Sequence, residues 1–417
     1  MIADHDKIFK NLSNQQVLGL TAAQKQGDWL DLKALLTTSR DHLFSEIEKS
    51  QIREKDNTAG LVSEKWRPFL KKQKPILLLD ASRGAPGDVG FLHLLLYETH
   101  KVIEGALLTA FITGSEKGYF YISAEYKEVF WVVQKALEEC YAQGLLGDNI
   151  LETDFSFHLQ VHLGSSDYVA YQDQAMVNAV AGERQPSGTL FGAPVLIHKI
   201  ETVASLSTIL KRGAEWFCTL GTPYSRGTKI FSFLGHVNKP CIVEESFGVS
   251  LKASIEKYAG GIKGGWPHLN FVFPGGLENS FLPKALCETL VLSYEGVGAV
   301  HASLGSGSVV AINGSVDLMT VTLSSMHFFK RVPASCCLFC TKGIKKCVGL
   351  LQSLHNTVQE PHDGPIVFSL QGLCQKIESR CQCGYASQGL SPLKGYLLYI
   401  QNMLTPDAVE EGRRYGV

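Results

Sequence analysis

Seven of the chain's eleven cysteines fall between Cys336 and Cys383, in a stretch that includes "SCCLFCTKGIKKC" and "CQCGYASQGLSP". Thiols gathered at such short spacings are candidates for metal binding or redox chemistry. The remaining four, Cys140, Cys218, Cys241 and Cys287, are scattered, as small buried hydrophobes usually are. A second stretch raises a different question. "IREKDNTAGLVSEKW", residues 52–66, lies just before "KPILLLDASRGAPGDVG", a buried strand running into a Gly-Pro turn. Nucleotide-binding chains often set a glycine-rich loop beside such a strand, so that backbone N–H groups can cradle phosphate. Here Glu54, Lys55, Asp56 and Asn57 occupy that place, with one glycine at Gly60.

The elements that must position these residues change in character along the chain. The first 74 residues are charged and helical, with apolar positions at Leu30, Leu32, Leu35, Leu36, Leu43, Ile47 and Ile52. They end on "KWRPFLKKQK", five positive charges within residues 65–74. The expected role of that run is a solvated face, and its functional alternative is docking on RNA or on an acidic partner. From Lys74 strands alternate with helices. "PILLLD" and "KGYFYIS" are apolar enough for buried parallel strands, and "THKVIEGALLTAFIT" and "YKEVFWVVQKALEECYAQGLLG" have helical periodicity. "DFSFHLQVHL" alternates as a strand, with His158 and His162 expected to be packed or solvated rather than metal ligands. Such alternation implies a layered α/β domain. Residues from about Gly227 to Asn313 are rich in short strands and glycine around one helix, a small α+β roll. The final hundred residues form helices, the last beginning at Pro392.

The expected fold class is therefore α/β and α+β multidomain. The expected units are an N-terminal helical segment (1–74), a Rossmann-like α/β domain (75–225), the roll (226–314) and a helical bundle with the cysteines (315–417). The net charge of −1 over 417 residues argues against a broad nucleic-acid footprint. No apolar run is long enough to cross a bilayer, so no membrane insertion is expected.

At "GTKIFSFLGHVNKPCIVEE", "KYAGGIKGGW", "FPGG" and "LPKALCET" the chain resembles the NADH-binding flavoprotein subunit of respiratory complex I, a family shared with related hydrogenases and formate dehydrogenases. "DKIFKNL", "GDWLDLKALL", "HKVIEG", "AQGLLGDN" and "KIETV" extend the resemblance nearly end to end. It implies a nucleotide-binding α/β domain, a ubiquitin-like β-grasp domain for the roll, and a helical bundle holding an iron–sulfur cluster. It also implies that residues 52–66 correspond to the family's glycine-rich flavin loop, roughly L-R-G-R-G-G-A-G-F-P-T-G-x-K-W. Arg53, Lys65 and Trp66 match, while Glu54, Asp56, Asn57, Ala59 and Gly60 depart from the pattern. In "DASRGAPG" the family's acids are replaced by Ser82, Arg83 and Ala85. In "YVAYQDQA" Tyr171 and Gln172 replace a glycine and a glutamate, and Lys199 replaces an asparagine.

Those departures lead to the expectation of a non-catalytic subunit that binds neither flavin nor NADH and has no catalytic residue. Its expected setting is a scaffold within a large assembly of the mitochondrial matrix, such as a ribosome-assembly intermediate. Its expected neighbours are a thioredoxin-like small subunit and, through basic patches, RNA. The alternative is a divergent but active NADH dehydrogenase flavoprotein subunit with FMN, NADH and an iron–sulfur cluster. For the cysteines the resemblance implies a C-x-x-C-x-x-C motif with a fourth ligand about forty residues on. Cys337, Cys340 and Cys383 fit, the third motif position falls on Gly343, and Cys347, Cys336 or Cys381 is left to complete the set. Packed reduced thiols, a rewired iron–sulfur cluster and a structural zinc are the three readings of that set.

Overall fold

A computed structural model describes residues 1–70, 73–82, 84, 86–165, 173–331, 337–356, 364–381 and 385–404. Near the N-terminus the expected continuous helical pattern is broken into three pieces. Helices Leu20–Gln26 and Leu32–Thr37 are separated from each other where Trp29 and Asp31 adopt positive φ. Helix α1 (Arg40–Ser50) then starts afresh, with the Ser39 hydroxyl accepting from the His42 N–H. A short helix α2 (Val62–Trp66) leads into strand β1 (Ile76–Ala81), every residue of which is buried.

β1 is the centre of a five-stranded sheet because helices cover both its faces, which is what its unbroken apolar run requires. Helix α3 (Thr99–Thr113), strand β2 (Lys117–Ser123), helix α4 (Lys127–Ala142) and strand β3 (His158–Gly164) follow. A short strand β4 (Thr189–Leu190), strand β5 (Ala193–Lys199) and helix α5 (Ile200–Arg212) complete the unit. The spatial order is β3-β2-β1-β5-β4. β1 runs parallel to β2 and β5, with Leu78 opposite both Tyr119 and Ile197, and β4 is antiparallel at the edge. Every residue of α3 is buried, and it packs closely on α5: a Cβ on Gly105 would lie 2.0 Å from the Val203 carbonyl oxygen.

The second sheet is mixed. It contains strands β6 (Thr228–Gly235) and β7 (Cys241–Ser246), then helix α6 (Leu251–Ala259). Strands β8 (Leu269–Phe273), β9 (Leu282–Pro283) and β10 (Ser308–Asn313) follow. The order is β9-β8-β10-β6-β7, with β10 parallel to β6 and the other pairs antiparallel. Phe231, Phe233, Leu251, Ile255 and Val272 share its core.

Four helices close the chain: α7 (Leu318–Arg331), α8 (Leu338–Asn356), α9 (Gly364–Glu378) and α10 (Tyr385–Leu404). Met326, Phe329, Ile344, Leu351, Ile377 and Leu393 are buried between them. The Tyr385 hydroxyl, at the start of α10, donates to the Phe329 carbonyl near the end of α7. Contrary to the sequence reading, Pro392 lies inside α10, seven residues past its start. Among the described residues no helix is long and apolar enough to cross a membrane.

Candidate functional site

The carboxyl ends of β1 and β5 and residues 53–61 surround a cleft of about 490 Å³. In open parallel sheets ligands bind outside the carboxyl ends of the strands, and this cleft has that position. Glu54, Asp56, Glu64, Asp80 and Asp173 bring five carboxylates to its lining, against the ammonium groups of Lys65 and Lys199. Leu61 and Ile197 add apolar surface.

Residues 53–61 form a closed turn. Arg53 and Leu61 bridge across it, and the Glu54 N–H donates to the Gly60 carbonyl at 2.8 Å. Asp56 is folded back into this turn rather than aimed at a ligand. Its Oδ1 accepts from the Thr58 N–H at 2.8 Å, the Thr58 hydroxyl at 2.6 Å and the Ala59 N–H at 3.3 Å. Ala59 takes a positive φ of 46°, where the family pattern has glycine. Asn57 ties the turn to its neighbours: it accepts from the Ser303 hydroxyl at 2.6 Å and donates to Gln388 of α10 at 3.1 Å. Arg53 donates to the Tyr224 and Ala59 carbonyls. Lys55 is buried, donates to the Thr228 carbonyl at 2.6 Å, and is lowered to about 7 by its burial.

Glu54 is the most heavily engaged carboxylate. It accepts from Lys65 Nζ at 3.0 Å, from His198 Nδ1 at 2.7 Å and from the Lys199 N–H at 2.9 Å. Burial alone raises a carboxyl, but His198, Lys65 and these hydrogen bonds outweigh it and hold Glu54 well below the usual range. Lys199 pairs with Asp80, which opposes the effect of burial and raises the ammonium. The sequence reading had both loop carboxylates facing a phosphate position. In the structure each already has its own partners.

Sequence reasoning passed over His198, Asp80 and Asp173. The usable signal was "VLIHKIET", a polar pair at the carboxyl end of an apolar strand. Of the other positions singled out, Arg83, Ala85, Tyr171 and Gln172 lie outside the described residues. His162 stacks on Tyr121 and His158 meets Asp148, so neither belongs to the cleft. In the basic run, Arg67 pairs with Glu48 and Glu64, and Lys74 with Glu116. Lys71 and Lys72 lie outside the described residues.

A second site lies at one end of the bundle. The sulfur atoms of Cys337, Cys340 and Cys381 all lie within 4.8 Å of one another, with Cys337–Cys340 at 3.0 Å and Cys340–Cys381 at 2.9 Å. Three converging thiols suit a thiolate-bound metal or cluster. Cys383 and Cys336 lie outside the described residues. Cys347, suggested as a fourth ligand, is not brought to these three: it lies deeper in the bundle, where its thiol is raised by its hydrogen bond with Cys374 and by burial. Two helical turns separate it from the cluster end of α8. Gly343, the third position of the family motif, has a packing reason to lack a side chain, since a Cβ there would come within 2.6 Å of Ile377.

A family model described as the Nuo51 FMN-binding domain matches residues 47–208, which carry the cleft. The chain is 33% identical over 430 residues to an NADH-quinone oxidoreductase subunit of Rickettsia typhi, covering all of both chains. It is 33% identical over 413 residues to the corresponding protein of Rickettsia bellii, covering 96% of this chain and 98% of the relative. The chain belongs to the family of the complex I flavoprotein subunit. Its fold is also that of a chain in the NAD⁺-reducing [NiFe]-hydrogenase, in the H₂-reduced state, with a TM-score of 0.77 at 20% identity. That match covers 94% of this chain and 65% of the hydrogenase chain, so the chain spans about two thirds of the hydrogenase chain's length. The air-oxidized state gives a TM-score of 0.76 at 18% identity.

Membership corrects one expectation directly. The absence of any cofactor was inferred from the lost glycines, yet the matched segment is that of an FMN-binding domain and includes the altered loop itself. The family match thus points to FMN, against the expectation of no cofactor.

Proposed function

We propose that the chain is the flavin-holding subunit of a multi-subunit oxidoreductase that takes electrons from NADH. The observation that carries this reading is full-length similarity to bacterial NADH-quinone oxidoreductase subunits, with the FMN-domain match falling on the residues around the cleft. A cavity of about 490 Å³ is within the usual range for small-molecule sites, roughly 300–1,000 Å³. Lys65 and Lys199 are the residues that would hold the flavin phosphate, and Leu61 and Ile197 supply apolar wall. The residues fit on one condition: the phosphate has to take Lys65 from Glu54, or Lys199 from Asp80. When bound, a flavin supplies hydride acceptance, which no side chain in the cleft can do.

Cys337, Cys340 and Cys381 with one further thiolate would hold an iron–sulfur cluster as the electron carrier. The helix between β7 and β8, with β10 returning parallel to β6, supports the β-grasp expectation for the second sheet. The partners in this reading are other subunits of the assembly, including a thioredoxin-like small subunit. The compartment is the mitochondrial matrix.

One observation favours a second, catalytically silent version. Both cleft lysines are already ion-paired and five carboxylates line the opening, so the pyrophosphate of a dinucleotide meets net negative charge. NADH-dependent ferricyanide reduction by the native assembly separates the two. Turnover supports the active reading. Bound flavin without turnover supports the silent one, and absence of both flavin and turnover contradicts each.

A further inference from the structure

The seam between α8 and α9 carries a second pair of cysteines. At one end of it, Cys340 Sγ lies 2.9 Å from Cys381 Sγ. Three residues further along α8 and four back along the other strand of the seam, a Cβ on Gly343 would come within 2.6 Å of Ile377. Numbers that rise on one helix while they fall on its neighbour mark an antiparallel pair. Cys347 and Cys374 stand seven residues on and seven back from the first rung. They form a second thiol rung, about 10.5 Å along the helix axis from the first.

The two thiols of this rung are in contact, with Cys347 donating a hydrogen bond to the Cys374 sulfur. Cys347 is 0% exposed and Cys374 3%, and they share the bundle core with Ile344, Val348, Leu351 and Leu370. Neither belongs to the group of three converging thiols. The hydrogen bond from Cys347 holds the Cys374 thiol below its ordinary value, against burial and Glu378, with Lys394 assisting. The pair is therefore unequal. A thiol with more thiolate character is the one that attacks an oxidant, and a thiol touching it is placed to resolve the product. Sulfurs already in contact have little distance to close before a disulfide can form.

We propose that Cys347 and Cys374 are a second redox site, a dithiol that hydrogen peroxide converts to a disulfide across the α8–α9 seam. Burial shuts out bulky disulfide reagents and leaves a small peroxide as the oxidant. The Cys374 thiolate attacks one peroxide oxygen, the O–O bond breaks, and the departing hydroxide takes up the proton that Cys374 released. The Cys347 sulfur then attacks the sulfur of the sulfenic acid. The S–O bond breaks, the S–S bond forms, and hydroxide leaves with the Cys347 proton as a second water. Two thiols and one peroxide become one disulfide and two waters, the sulfurs losing two electrons and the peroxide gaining them. Neither flavin nor metal takes part. The link holds α8 and α9 in register two turns away from Cys340 and Cys381.

The test treats the fully reduced native protein with hydrogen peroxide, alkylates the remaining thiols and digests with trypsin. No Lys or Arg lies between Lys346 and Lys376, so both cysteines fall in one peptide, 347–376, separate from Cys337, Cys340 and Cys381. The expected product is that peptide lighter by two hydrogens, resistant to alkylation until it is reduced. It should form roughly tenfold faster than Cys287 is oxidised. Cys287 is also buried, but its thiol meets the Leu282 and Pro283 carbonyls instead of a second sulfur. In Cys374→Ser, oxidation of Cys347 should fall to the Cys287 rate. Cys347 and Cys374 both alkylated after peroxide would show inert packed thiols and overturn the proposal. Sulfinic acid at Cys374 beside a free Cys347, or a disulfide from either to a cysteine outside the peptide, would overturn it equally.

Discussion

The indole N–H of Trp66 donates to Nε2 of His198 at 2.7 Å, which leaves the imidazole proton on Nδ1, where it donates to Glu54 at 2.7 Å. All three residues are buried, so this relay fixes a neutral histidine beneath the cleft. Trp66 is one of the loop positions that matches the family pattern, and the structure gives it a purpose: it orients the group that orients Glu54.

Burial depresses the His198 pKa, with Glu54 opposing it only in part. Above pH about 6.5 the histidine is neutral folded and unfolded alike, so stability there is full. Below it the unfolded chain takes a proton that the folded chain does not, and stability falls. Glu54, held low in the fold, adds a further loss as pH falls below its unfolded value near 4.5. The margin in urea midpoint of the native protein over His198→Phe should shrink between pH 8 and pH 5, a difference that isolates the histidine from groups titrating in the opposite direction. The same variant should cost about 3 kcal/mol or more at pH 7.5, because it leaves the Trp66 donor and one Glu54 oxygen short of a partner. A native-minus-variant difference that does not change with pH would contradict the assigned tautomer.

Glu278 behaves in the opposite direction. It is fully buried, its Oε2 has no hydrogen-bond partner among the described residues, and burial with the nearby Asp88 charge pushes it up to about 8. Between pH 4.5 and pH 8 the folded protein holds a proton that the unfolded chain has released, so stability decreases as pH rises through that window. The whole effect is at most about 5 kcal/mol. Glu278→Gln should leave stability at pH 4.5 unchanged and raise it at pH 8.5. Equal midpoints at pH 8.5 would show that the carboxylate is solvated.

Gly105 sets the spacing of α3 and α5. Gly105→Ala places a methyl group against the Val203 carbonyl, and the helices must separate. The expected loss is about 3 kcal/mol, read from denaturant titration, and a neutral effect would mean that the two helices do not approach each other at this point.

At the bundle end, Cys381→Ser and Cys340→Ser should each remove bound iron or zinc from protein purified without oxygen, whereas Cys347→Ser should leave metal content intact. Elemental analysis decides it. Metal lost with Cys347 and kept without Cys381 would reverse the ligand assignment.

Much of the scaffold was legible because its signals are local. An unbroken apolar run such as Ile76–Ala81 has few alternatives to a covered parallel strand, and the last hundred residues carry plain helical periodicity. The misreadings came from tertiary effects. The breaks at Trp29 and Asp31 depend on left-handed backbone that no pattern of apolar residues announces. Pro392 sits inside α10 although it reads as a helix start. At the cleft, the residue types of the loop were plain but their partners were not: Glu54 looked like an obstacle to phosphate, while His198, 144 positions away, makes it part of a buried relay. That Cys381 joins Cys337 and Cys340 is likewise a matter of which helix ends meet, not of spacing along one helix.

The central claim, that the cleft between β1, β5 and residues 53–61 holds a flavin, is tested most directly by the flavin content of the protein isolated with its native partners. Acid release should yield about one FMN per chain, and Lys65→Met with Lys199→Met should abolish it while the far-UV circular dichroism stays unchanged. A colourless native preparation that releases no flavin would contradict the account.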